Sequence, residues 1–94
     1  MNAVERAAWN IRRLRVERAL SQEALALEAG IDRTYISRVE RSLENPTVGL
    51  LERIARALDC DIAVLFDCPA AGSKTPAKLP SGRKPRQASR SVRR

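Results

Sequence analysis

The chain contains no histidine. That removes the commonest metal ligand and the commonest general acid–base, so a Cys–His zinc site and a histidine-activated nucleophile are both excluded. Its two cysteines, Cys60 and Cys68, are too few for a disulfide framework. Aromatic residues are limited to Trp9, Tyr35 and Phe66. The core must therefore come from Leu, Ile, Val and Ala, which suits a small helical bundle better than a sheet sandwich. No apolar run is long enough to span a membrane and no signal peptide opens the sequence, so the cytoplasm is the expected compartment. A phosphate-binding glycine loop is missing as well. No catalytic constellation remains, and neither a cofactor nor a metal is expected.

Acidic residues are absent from 69–94, where 8 Lys and Arg stand alone. Residues 1–68 carry 10 Arg against 11 Asp and Glu, a net charge of −1. All the excess positive charge of the chain thus belongs to its C-terminal quarter. That segment is rich in Pro, Ser, Ala, Lys and Arg, with Leu79 and Val92 its only larger aliphatics. It cannot bury enough apolar surface to offset ordering entropy, so the reading is a folded domain over 1–68 and a disordered basic tail over 69–94. Within the domain, residues 1–41 hold 8 Arg against 6 acids and 42–68 hold 2 against 5. A basic face with an acidic rear would have this composition.

What is present is a pattern of helices. Val4, Ala7, Ile11, Leu14 and Arg18 recur at helical spacing and predict a first helix over about Val4–Ala19. Ser21 is the predicted cap of a second helix that opens on Gln22 and runs to about Ala29, with Leu25 and Ala29 facing inward. Ala26 is small enough to let another helix cross closely. Gly30 ends this helix where a left-handed backbone is needed. Asp32 caps a third helix that runs to about Arg41, held to the core by Ile36 and Val39. Asn45 precedes Pro46 and is pushed extended. Thr47 then caps a fourth helix over about Val48–Leu58, with Leu51, Ile54, Ala55 and Leu58 on one face. Asp61 caps a fifth short helix, Ile62–Phe66, which closes the core with Leu65 and Phe66. Two short helices joined by a tight turn over Ser21–Glu40 have the residue types of a DNA-binding helix-turn-helix.

The run SQEALALEAGIDRTYISRVE, followed by the later ALDCDIAVLF, resembles the Cro/C1-type (XRE) helix-turn-helix family of phage repressors and bacterial regulators. DRTYISRVER in particular resembles the recognition helix of restriction–modification controller proteins. The resemblance covers nearly all of residues 4–66. It implies an all-α, five-helix, lambda-repressor-like domain that binds double-stranded DNA as a homodimer on a palindromic operator and needs no cofactor. It also implies that Arg15 pairs with Glu40 to tie the first helix to the third, and that helix 5 with the end of helix 4 forms the dimer surface. Ser42 and Asp59 stand where the family usually places glycine, so both must tolerate left-handed backbone. Trp9, Leu27 and Leu43 are apolar where the family usually shows polar residues; each is read either as a lone exposed apolar residue or, taken together, as a partner surface or dimer contact.

A helix in the major groove reads base edges with its N-terminal residues. The candidates are Arg33, Thr34 and Tyr35 at the start of helix 3, with Ser37 and Arg38 one turn on. Arg33 and Arg38 suit guanine O6 and N7. Arg38 has a second open role, an ion pair with Glu17 or another acid, and Tyr35 can instead pack against a neighbouring helix. Gln22, Arg41 and Asn45 are candidates for phosphate contacts, which fix register without reading sequence. For Asn45 a local turn-forming hydrogen bond is the alternative. Cys60 suits core packing, and Cys68 suits an exposed thiol. The leading function is a sequence-specific transcriptional regulator. Two others stay open: a protein-interaction module, such as an antitoxin-type partner, and a sequence-tolerant DNA binder driven by the basic tail.

Overall fold

Asn2 starts the first helix. Its side chain accepts from the Glu5 backbone N–H while the Glu5 carboxylate accepts from that of Asn2, a complete capping box. The computed structural model describes residues 1–69. They form α1 (Ala3–Glu17), α2 (Gln22–Ala29), α3 (Arg33–Glu40), α4 (Val48–Ala57) and a 3-10 helix over Ile62–Phe66, with no strand among the described residues. None of these helices is long and apolar enough to cross a membrane. The tail expected over 69–94 lies, from residue 70 onward, outside the described residues.

The predicted caps are in place. Ser21 accepts from the Ala24 N–H, Asp32 from Thr34, Thr47 from Leu50 and Asp61 from Ala63. The expected fifth α-helix is corrected to a 3-10 helix. Its bonds run three residues back, from Val64 N–H to the Asp61 carbonyl and from Asp67 N–H to that of Val64. Five residues are too few to gain much from the α-helical ladder, and the tighter turn closes bonds sooner.

All four α-helices end in one way. A left-handed residue follows the last turn, and the next N–H reaches back five residues: Leu20 to Arg15, Ile31 to Ala26, Leu43 to Arg38 and Cys60 to Ala55. The left-handed positions are Ala19 (φ 57°), Gly30 (69°), Ser42 (61°) and Asp59 (57°). Ser42 and Asp59 were expected there. Ala19 was not, and it explains why α1 stops at Glu17, short of the predicted Ala19.

The core is one cluster. Ile11, Leu25, Ile36, Ile54, Leu58 and Leu65 are fully enclosed, with Leu14, Ala26, Ala29, Val39, Leu51 and Ala55 around them. α2 packs on α3 and α4, and α1 packs on α3 and the 3-10 helix. Ala26 is buried, in keeping with a close helix crossing. Val4 and Arg18, which share the predicted inner stripe of α1, are only half-buried. Trp9 is also half-buried, with the Arg13 guanidinium 5.7 Å from its ring centre. Leu27 and Leu43 are exposed, at 83% and 50%.

Buried Asn10 was assigned no role from sequence. Its Nδ2 reaches the carbonyls of Arg6 (3.0 Å), Leu65 (2.9 Å) and Asp67 (2.9 Å), fastening the end of the 3-10 helix to α1. Arg53 was missed too. Its guanidinium donates to the carbonyls of Ala29 (3.1 Å) and Gly30 (2.6 Å), placing positive charge on the C-terminus of α2.

Candidate nucleic-acid interface

Helix α3 is held from three sides, and this decides which of its residues face outward. Ile36 and Val39 fix its inner face. Asp32 caps its start. Its end is pinned by Arg15, whose Nε donates to Glu40 Oε2 at 2.6 Å and whose Nη2 donates to Oε1 at 3.1 Å. A third bond runs from Arg15 Nη1 to the Leu20 carbonyl at 2.8 Å, so each guanidinium nitrogen has a partner. The side chains of the pair are 5% and 2% exposed. The implied Arg15–Glu40 pair is therefore present, and Arg15 has no surface to offer a ligand.

The remaining face of α3 is the candidate interface. Arg33 and Thr34 are exposed at its N-terminus, and their side chains make no hydrogen bond among the described residues. Arg41 is exposed at the other end, with Nε 3.4 Å from the Ser37 carbonyl of its own helix. Ser37 is half-buried. Tyr35 takes a middle position: it packs against the core yet keeps part of its surface. Burial, with the nearby Glu44 carboxylate, pushes its phenol above the usual value of 10, so the hydroxyl is a proton donor at neutral pH.

Two expected site residues have partners inside the protein. Arg38 donates through Nε to Glu44 Oε2 at 2.7 Å and through Nη2 to the Leu43 carbonyl at 3.4 Å. The acid that holds it is Glu44, in the loop after α3, whereas Glu17 pairs with Arg13 at 3.2 Å. Gln22 donates from Nε2 to Glu40 Oε1 at 3.2 Å, joining the start of α2 to the pinned end of α3. Asn45 is exposed, and its side chain makes no hydrogen bond among the described residues, so the local turn bond is not formed. The structure thus gathers Arg33, Thr34, Tyr35, Ser37 and Arg38 on one helix, with Arg41 at its C-cap, and brings Gln22 to its far end. No group of three or more Cys, Asp or Glu able to hold a metal occurs among the described residues.

A short helix, a left-handed turn at Gly30 and a second helix with an outward N-terminus are the parts of a helix-turn-helix protein. The chain belongs to the helix-turn-helix family HTH_3, whose pattern it matches over residues 11–65. It is 47% identical over 51 residues to a hypothetical transcription factor of Neisseria meningitidis, covering 54% of this chain and 48% of that relative. It thus spans about half the length of that protein. It is 42% identical over 66 residues to the control protein C.SmaI of Serratia marcescens, covering 70% and 79%. Among solved structures it is similar to the restriction–modification controller protein C.Esp1396I, a tetramer in complex with its natural 35 base-pair operator. The TM-score is 0.65 and the identity 35%, covering 70% of this chain and 87% of that one.

Proposed function

We propose that this chain is a transcriptional regulator that binds double-stranded DNA sequence-specifically, as a homodimer on a palindromic operator. The observation that carries this reading is the pinned α3, with Arg33 and Thr34 exposed and unpaired at its N-terminus. A helix held in this way presents donors in fixed positions, as major-groove readout requires. The family membership and the operator complex of C.Esp1396I support it. Arg33 is the main base reader, with Thr34, Tyr35, Ser37 and Arg38 beside it. Gln22, Arg41 and Asn45 contact phosphates and set register. Half-sites lie about 34 Å apart, one helical turn. Repression or activation follows from where the operator lies relative to a promoter. The 8 positive charges of 69–94 add a sequence-independent attraction to phosphates.

Selection from a random duplex library at physiological salt tests this, with the full chain, the full chain carrying Arg33→Ala, and a chain ending at Cys68. One palindromic motif enriched by both wild-type lengths and lost with Arg33→Ala is the expected result. Binding that vanishes with the tail and never yields a motif would make the tail the binder. A chain with no DNA preference at all would turn attention to exposed Leu27 and Leu43 as a protein-binding surface.

A further inference from the structure

Glu44 lies in the loop between α3 and α4, and nothing in the sequence marks it as functional. Its carboxylate accepts from Arg38 Nε at 2.7 Å, and Arg38 Nη2 points to the Leu43 carbonyl at 3.4 Å. Both contacts lie on one edge of the guanidinium. The two protons of Nη1 and the second proton of Nη2 have no partner among the described residues, and the Arg38 side chain is 43% exposed. Those free protons form a complete fork, sufficient for a bidentate contact. Arg38 stands one turn after exposed Thr34 and one turn before exposed Arg41, on the candidate reading helix.

The carboxylate has two effects on what this fork can bind. It removes much of the rotamer freedom of a long side chain, so less entropy is lost when Arg38 meets DNA. It also sets a negative charge beside the guanidinium. A phosphate approaching Arg38 meets that charge, whereas the neutral edge of a guanine does not. We propose that Glu44 is a positioning residue for sequence discrimination: by holding Arg38 along its Nε edge, it presents the Nη fork to a base and makes Arg38 a poor phosphate ligand. This rests on the reading of α3 as the DNA-binding helix. It differs from a plain loop fastener, which would act on stability and affect all duplexes alike.

The test uses the full chain, its selected operator and an unrelated duplex of equal length, titrated across a salt series. Glu44→Gln keeps the shape and removes the charge. The expected result is tighter binding to the unrelated duplex, with the slope of log affinity on log salt steeper by about 0.9, the signature of one added phosphate contact. The ratio of operator to unrelated affinity falls about tenfold. In an Arg38→Met background the same change at Glu44 leaves ratio and slope unaltered, which separates an effect through Arg38 from the removal of any nearby charge. An unchanged ratio in Glu44→Gln, or an equal effect in the Arg38→Met background, overturns the proposal. So does a lowered thermal midpoint with ratio and slope preserved, since Glu44 is then only a loop fastener. A wild-type chain that binds both duplexes alike overturns the reading of α3 itself, and this proposal with it.

Discussion

Replacing Arg15 with methionine should remove a third or more of the stability of this domain, although it leaves the hydrophobic core intact. The substitution keeps the aliphatic stem and removes the guanidinium. Glu40 then loses its bonds at 2.6 and 3.1 Å and retains only Gln22 at 3.2 Å, while the Leu20 carbonyl loses its donor at 2.8 Å. With the Glu40 side chain 2% exposed, water cannot replace what is lost. Breaking a buried pair from one side costs about 3–5 kcal/mol, because a charge is left uncompensated. A domain of this size has roughly 3–10 kcal/mol of total stability. The substitution therefore consumes a third or more of it and lowers the thermal midpoint by at least about 12 °C. Chemical denaturation of the full chain, followed by helical circular dichroism, measures the loss directly.

The double variant Arg15→Met/Glu40→Leu sharpens the argument. Removing both charges removes the penalty, so its stability should return to within about 2 kcal/mol of the parent. Half-buried Gln22 can turn to water. A double variant as unstable as Arg15→Met would show that the guanidinium acts through packing rather than charge. A loss under about 1 kcal/mol in the single variant would show that the pair is solvated and does not pin α3.

Three further outcomes follow from single residues. Asn10→Ala should cost about 1–3 kcal/mol, because the Leu65 and Asp67 carbonyls lose a buried donor; hydrogen exchange should quicken over Ile62–Asp67 before it does in α4, and a uniform change would count against the tether. Ala19→Gly should raise the thermal midpoint by a few degrees, since left-handed backbone costs alanine about 1–2 kcal/mol and only part of that is returned as glycine's unfolded-state entropy; a fall would refute it. Native alkylation at about pH 8 should modify exposed Cys68 at least about tenfold faster than Cys60, which is half-buried and whose thiol burial pushes above its usual range despite nearby Arg18; equal rates by mass spectrometry would place Cys60 in solvent.

Much of this architecture was legible because the signals are local. Ser21, Asp32, Thr47 and Asp61 cap bonds within three residues of themselves, and Ile36 and Val39 define the outer face of α3 as what they leave over. The Asn2–Glu5 box carried the same kind of signal and was overlooked. The features that sequence did not reveal depend on contacts far along the chain. Asn10 meets Leu65 and Asp67 more than fifty residues away, and Arg53 meets the end of α2 across 24. Arg38 illustrates the limit most directly. Its partner is only six residues on, but the left-handed turn at Ser42 folds Glu44 back onto the helix, and helical periodicity cannot describe that reversal. Ser42 was found through a departure from family glycine, whereas Ala19 offered no side-chain clue to its backbone.

The distribution of arginine partners shows how a domain of net charge −1 can still present positive charge on the candidate reading face. Arg15 is buried on Glu40, Arg13 lies against Trp9 and Glu17, and Arg38 is held by Glu44. Arg53 caps α2, Arg56 is 3.8 Å from Glu52, and Arg6 reaches the Phe66 carbonyl. On α3 and its C-cap, the arginines not engaged by another element are Arg33 and Arg41, one at each end of the candidate reading face. Several acids are likewise occupied, in ion pairs or as helix caps, so the overall count says little about the field at α3. An interface built in this way has few charges left for indiscriminate attraction to phosphates. More of the affinity of such an interface for DNA would then have to come from contacts that depend on which base is present.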